Sequence, residues 1–364
     1  MIGTRGIPAN YGGFETCVEE VAVRLAKEHE VIVYARKSHY KKKLRKYKNV
    51  KLVYLPSINF KSLETLSHTF FSVIHALFFH WSAVWMIFNA ANSPALFLPW
   101  LLNRKLVINT DGLEWKRDKW GKIGKIYYQI SEWLATKWVN NIVADSKGIH
   151  DYYLERWNTN STIIEYGAYL QETRNSNILD EFNCEPDAYF LQITRLEPEN
   201  NPLLTIEAYL AFMKKHPSSK IKLVIVGDVT YENEYSKKIK SFESDNIILP
   251  GYIFDQNVLT ELRTNCFSYI HGNQVGGTNP ALLEAMGSGS FILARDVHFN
   301  REVLESGGIF FDRNINDLHK KMIYIYENKE IRKERISFSL KKISNYYNWD
   351  RIAKCYERLF KKIY

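Results

Sequence analysis

Short apolar runs alternate with longer amphipathic stretches along most of the chain. In the first half the apolar runs fall at 30–35, 50–54, 84–88, 106–109, 141–144 and 162–165, and helical spacing of apolar positions marks 14–28, 65–82, 122–138 and 147–156. Strand candidates this short, apolar on both faces and separated by helices, predict parallel sheets covered on each side. Residues 171–186 are polar and aperiodic, as a linker would be. The alternation then resumes with runs at 189–193, 223–226, 247–249, 266–270 and 291–294, and it closes in a helical tail. The pattern predicts an α/β fold of two Rossmann-like, doubly wound parallel-sheet domains: 1–169, a linker at 170–187, 188–345, and a C-terminal helix at 346–364. In that tail Ile352, Tyr356, Leu359, Phe360 and Ile363 share one side. The stripe fits either its own domain or a return across the domain boundary, and periodicity does not choose between them.

A length of 364 residues suits two domains, and 46% apolar with 24% charged residues excludes a disordered chain, a collagen and a polytopic membrane protein. Cys17, Cys184, Cys266 and Cys355 lie too far apart for a zinc site or a disulfide framework, and no signal peptide opens the chain, so a reducing cytoplasm is expected. Charge adds more. Residues 1–169 hold 23 Lys and Arg against 14 Asp and Glu, which accounts for the whole net charge of +9 and points that half toward an anion. The run Ser38 to Lys48, with Lys41, Lys42, Lys43, Arg45 and Lys46, is either a solvated loop or a contact for an anionic membrane surface. The 39 residues from Thr65 to Asn103 carry no charge, but His68, His75, His80, Asn89, Asn92, Pro94 and Pro99 interrupt them. That composition predicts a buried helix, strand and helix rather than a membrane span, and it leaves the 65–82 helix able to dip into a lipid surface.

Four segments can carry chemistry. IGTRGIPANYGGFET, from Ile2 to Thr16, sets Gly3, Gly6, Gly12 and Gly13 before a helix, where backbone amides can approach a phosphate; a plain turn is the alternative. In GNQVGGTNPALLEAMGSGS, from Gly272 to Ser290, Asn279 suits an N-cap and Pro280 a first helical position. The Gly276-Gly277-Thr278 turn ahead of them makes a second anion cradle. Glu284 lies in that helix amid Ala, Leu and Met, where a carboxylate needs a hydrogen-bonding partner such as a ribose hydroxyl, or else faces solvent. Arg195 follows a strand directly, at the edge of an α/β sheet that faces ligands, where a guanidinium can hold a diphosphate. Asp111, Glu114, Lys116 and Arg117 sit with two tryptophans past another strand end, a mixture that suits a sugar or a set of salt bridges. No D-x-D triplet offers a simple carboxylate pair for a metal-bound nucleotide, and no metal is expected.

Taken together, IGTRGIPANYGGFETCVEE, KSLETLSHT, DGLEWKR, RLEPENN and GGTNPALLEAM resemble the family-4 glycosyltransferases of the GT-B fold, and more narrowly their bacterial rhamnosyltransferase-like subgroup. The resemblance covers nearly the whole chain. It implies two such domains facing a central cleft and a metal-independent, configuration-retaining transfer from a nucleotide diphosphate sugar. The sugar is expected to be a 6-deoxyhexose such as L-rhamnose, with dTDP or UDP as carrier, and the acceptor a lipid-linked or free oligosaccharide of bacterial surface polysaccharide synthesis, capsule or lipopolysaccharide. Residence would be cytoplasmic, or peripheral on the inner membrane face. Among site residues, the resemblance implies that Arg195 neutralises the leaving diphosphate, that Gly12 and Gly13 pack against the donor, that Gly276, Gly277, Thr278 and Asn279 form its phosphate turn, and that Glu284 binds the ribose. Asp111 is the candidate to orient or deprotonate the acceptor hydroxyl, with Arg5, Glu114 and Arg117 beside the acceptor.

Three features depart from the family pattern. Asn200 stands where a lysine is usual and Gly276 where a glutamate is usual, so one phosphate charge must be met otherwise, by Arg5 or backbone amides, and the donor sugar differs. Relatives also place an apolar strand ahead of IGTRG, so most of the first strand is expected to be missing. A nucleotide-sugar 2-epimerase on the same fold, a nucleic-acid-binding protein and an inactive relative are the alternatives. The neutral second half and phosphate loops on both halves speak against nucleic acid.

Overall fold

Met1–Gly167 with Trp349–Tyr364 form one unit and Ala168–Asn348 the other, in a computed structural model that describes residues 1–9, 12–58, 63–110, 112–117, 120–171, 176–229 and 232–364. The first unit runs α1 (Gly13–Leu25), β1 (Ile32–Arg36), β2 (Lys46–Tyr47), β3 (Val50–Leu55), α2 (Glu64–Phe79), β4 (Trp85–Phe88), α3 (Phe97–Leu101), β5 (Leu106–Asn109), α4 (Lys122–Trp138), β6 (Asn141–Ala144), α5 (Lys147–Trp157) and β7 (Thr162–Ile163). Its strands pair in the orders β1-β3-β2 and β4-β5-β6-β7, parallel throughout except for β2 with β3. Every residue of β4 and β5 is buried, the reason these strands read as continuous apolar runs. Met1 and Ile2 lie between the two sheets. Ile2 donates to Met86 O at 2.8 Å and accepts from Phe88 N at 2.9 Å, while Met1 O accepts from Tyr34 N at 3.1 Å.

The second unit follows with β8 (Tyr189–Ile193), α6 (Pro202–Lys215), β9 (Lys222–Val226), α7 (Glu234–Lys240), β10 (Ile247–Gly251), α8 (Gln256–Asn265), β11 (Ser268–His271), α9 (Pro280–Gly287), β12 (Ile292–Arg295), α10 (His298–Leu304), β13 (Gly308–Phe311), α11 (Ile315–Glu327) and α12 (Ile331–Asn345). Its six strands are parallel in the order β10-β9-β8-β11-β12-β13, so the direction of winding reverses beside β8. Ligand sites in such sheets lie beyond the carboxyl ends of the central strands, here β8 and β11.

Four details differ from the expected pattern. The polar segment expected as a linker contains a 3-10 helix, Ser176–Phe182, whose Leu179 is fully buried and ties it to the second unit. β13 is four residues long and flanked by Gly, which hides it from a periodicity search. β2 lies inside the basic run, because Lys48 and Asn49, both at positive φ (45° and 71°), make a two-residue turn back into β3. The tail helix, α13 (Trp349–Ile363), begins three residues later than expected and belongs to the first unit. It packs on α1, buries Ile352, Tyr356 and Leu359, and receives a 3.0 Å hydrogen bond from Asn109 Nδ2 at Tyr356 OH. Arg24 to Asp350 at 2.6 Å and His29 to Glu357 at 2.9 Å close its outer edge.

Candidate functional site

In the second unit, the loops after β8 and β11 are laced together by amide side chains. Gln192 Nε2 donates to Asn200 O at 2.9 Å, Asn201 Nδ2 donates to Gly272 O at 2.7 Å, and Gln274 N donates to Glu199 O at 3.1 Å. Gly272 permits this approach, since a Cβ there would lie 2.2 Å from Asn200 O. The lacing fixes Arg195 and the Gly276–Thr278 turn on one edge of the sheet. Arg195 is about one-third exposed and keeps Glu197 within 3.3 Å. Asn200 is buried and its Nδ2 donates to Arg195 O at 3.0 Å, so the amide at the usual lysine position shapes the arginine loop and presents no charge.

Gly276 sits at φ 146° with open space where a side chain would start, and Thr278 is buried. Asn279 caps α9 as expected, accepting from Ala281 N at 3.0 Å. Glu284 has a partner that sequence reasoning missed. Arg263 of α8, almost wholly buried, donates to its Oε2 through Nη2, and among the described residues Arg263 Nε has no hydrogen-bond partner. The carboxylate is thus held by a guanidinium, with its own side chain 39% exposed. No sequence signal joins two residues 21 positions apart on separate helices. His271, the last residue of β11, was also missed. It is buried, stacks on Tyr269 with centroids 6.3 Å apart, and burial holds its imidazole down to about 3, so it is neutral at ordinary pH.

In the first unit, Gly12 takes φ 109° as the N-cap of α1, and among the described residues no side chain caps that helix. Gly13 opens it. Arg5 N donates to Glu15 Oε1 at 3.0 Å, and Arg5 O accepts from Arg36 N at 2.9 Å, so the opening loop is pinned between α1 and β1. Gly6 makes this possible: its Cβ would lie 2.4 Å from that of Ala35. Glu114 and Arg117 bind each other at 2.6 Å, and Trp120 Nε1 donates to Glu114 at 3.3 Å, which is the salt-bridged alternative for that cluster. Asp111 lies outside the described residues. Lys41, Lys42, Lys43, Arg45 and Lys46 are all exposed.

Residues 176–342 match the family described as Glycosyl transferases group 1, and residues 100–169 match a domain of unknown function, DUF1972. The first of these matches contains every residue of the laced loops. An uncharacterized glycosyltransferase of Methanocaldococcus jannaschii, MJ1069, is 23% identical over 252 residues, a match that spans 66% of this chain and 63% of that relative. Among solved structures, the sucrose-phosphate synthase of Thermosynechococcus elongatus superposes with a TM-score of 0.77 at 15% identity, over 100% of this chain and 95% of its own. Anabaena Alr3699/HepE in complex with UDP-glucose gives 0.74 at 15% identity, over 97% and 98%. These likenesses establish the fold as α/β of the GT-B type.

Proposed function

We propose that the protein is a retaining, metal-independent glycosyltransferase that binds a nucleotide diphosphate sugar on its second unit and passes the sugar to a saccharide acceptor. The observation that carries this reading is the pair of laced loops within the matched residues, which bring Arg195 and the Gly276–Thr278 turn to one edge of the sheet, together with Glu284 held by Arg263; in this reading the turn meets phosphate and a ribose hydroxyl meets the Glu284 carboxylate. Arg195 neutralises charge on the leaving diphosphate. HepE, solved with UDP and with UDP-glucose, supports a nucleotide-sugar donor. The finer assignment is a 6-deoxyhexose such as L-rhamnose carried by dTDP or UDP. It rests on Gly276 and Asn200, which leave the donor sugar facing neither a glutamate nor a lysine at those positions. A lipid-linked acceptor in surface polysaccharide synthesis fits the basic first half, and Lys41 to Lys46 would meet anionic lipid there.

A thermal-shift titration without metal, using dTDP, UDP, GDP and ADP, tests the donor site. At a hundredfold excess over Kd, binding stabilises the native state by about 2.7 kcal/mol, so an occupied site is visible. One nucleotide should shift the wild type and fail to shift Arg195→Ala. No shift with any nucleotide, on a protein that melts cooperatively, rejects the reading. Release of a free sugar epimer without glycosylated product replaces it with an epimerase.

A further inference from the structure

Helices α2 and α4 are inside out. The residues that α2 buries are His68, Thr69, Ser72, Val73 and Ala76, held by polar contacts such as Thr69 Oγ1 to Asn92 Oδ1 at 2.7 Å and Arg36 to Glu64 at 3.1 Å. What it exposes is Phe70, Phe71, Phe78 and Phe79, the last two at 79% and 69%. In α4 the buried residues are Ser131, Glu132 and Ala135, whereas Ile123, Ile126, Ile130 and Trp133, spaced at three and four along one face, are exposed. A helix of a water-soluble domain turns its apolar stripe inward. Here two do the reverse, and both pack against the same 3-10 segment, Ala90–Leu96, which continues into α3. There Phe97, Trp100 and Leu101 are exposed as well, and Trp100 stacks on Trp138 at the end of α4 with centroids 5.9 Å apart. The result is one broad apolar and aromatic surface on the first unit.

Its charge identifies the occupant. From Thr65 to Thr110 the sequence has no Asp or Glu, and the one carboxylate of α4, Glu132, is buried. The ionic groups at the rim are cations: Lys122 and Lys137 are exposed on α4, and the Arg104 guanidinium lies 3.6 Å from the centre of the Trp81 ring. The basic run leaves from the start of α2, where His39 Nε2 meets Glu64 at 2.7 Å. Apolar residues and aromatic rings bordered by Lys and Arg, with no exposed carboxylate among the described residues of α2, α3 and α4, match the boundary of an anionic bilayer. Among the described residues no helix is long and apolar enough to cross a membrane, so such helices lie in its plane.

We infer that the α2, α3 and α4 face of the first unit inserts into the headgroup boundary of an anionic lipid bilayer, with Phe78, Phe79 and Trp100 as anchors. The inference rests on the proposed lipid-linked acceptor only for its purpose, and its test is independent of the donor. The full chain is sedimented with vesicles of phosphatidylcholine and phosphatidylglycerol, and with phosphatidylcholine alone. Wild type should partition to the anionic vesicles, and Phe78→Ser with Phe79→Ser should weaken that partition about tenfold or more. Replacing Lys41, Lys42 and Lys43 by Glu should weaken it on anionic vesicles alone, in a salt-dependent manner. Both sites are exposed, and an unchanged melting temperature and nucleotide shift confirm intact folds. Equal partition of wild type and the phenylalanine variant overturns the proposal. So does a wild type that ignores vesicles and elutes as a dimer which the same variant splits, since a second copy then covers the face. Failure of vesicle binding with the nucleotide shift intact removes this inference alone.

Discussion

At the residue scale, the pair Arg263 and Glu284 shows how unevenly two partners can depend on each other. Arg263 has 4% of its side chain exposed and Glu284 39%. Removing the arginine leaves a carboxylate that water can reach; removing the carboxylate strands a guanidinium in the interior. An uncompensated buried charge costs about 3 kcal/mol or more, whereas a rehydrated one costs far less. Glu284→Ala should therefore lower the urea midpoint of the second unit much more than Arg263→Met, and equal losses would show that the buried charge finds another partner. Glu284 was legible in the sequence because a carboxylate amid Ala, Leu and Met demands a partner. Arg263 was not, since nothing in a polar helix announces which of its residues turns inward. Gln192, an amide within an apolar strand, was the one visible sign that the loops beyond β8 are held by side chains.

The element scale explains where reading the sequence worked and where it stopped. β4 to β6, β8 and β9 stand out because a strand buried on both faces has few polar positions to break its run. β2 did not, because a turn of Lys48 and Asn49 lacks the Asn-Gly signal and the strand is two residues long. For α2 and α4, periodicity gave the helix but not the face that points inward, and burial of Glu132 is the cost of the inverted arrangement. Burial raises its carboxyl to about 7, against the favourable hydrogen bond from Tyr152 OH at 2.7 Å. The folded protein thus holds this proton more tightly than the unfolded chain, so the stabilisation is complete below the ordinary carboxyl range near 4.5 and is lost as pH rises through 7. Glu132→Gln keeps an acceptor for Tyr152 and should match wild type near pH 4, then exceed it by up to about 3 kcal/mol at pH 8. Buried His68 and His271, lowered to about 4 and about 3, destabilise both proteins alike as pH falls, so they cancel in the difference. Urea unfolding across that range checks the sign, and parallel pH profiles would contradict it.

For the whole molecule, chain order and folding units do not coincide. The α/β alternation foretold two units, but the stripe on α13 could serve either, because periodicity shows that a face is apolar without showing what meets it. The structure assigns α13 to the first unit, where Tyr356 meets Asn109 and Asp350 meets Arg24. Residues 1–167 therefore leave Cys17, Val18 and Val21, all fully buried, on α1, a helix whose neighbour α13 begins 324 positions after α1 ends. Burying a large apolar side chain contributes about 1.5–3 kcal/mol, and α13 supplies Ile352, Tyr356 and Leu359, in sum about 4.5–9 kcal/mol, comparable to the margin of about 5–15 kcal/mol by which domains are stable. Expressed alone, residues 1–167 should lack a cooperative thermal transition. Joined through a Gly-Ser linker to residues 349–364, they should regain one, with Tyr356→Ala in the joined chain lowering its midpoint. A sharp transition for 1–167 alone would mean that the sheets and α1 suffice, and that α13 serves only to carry the end of the chain back to the first unit.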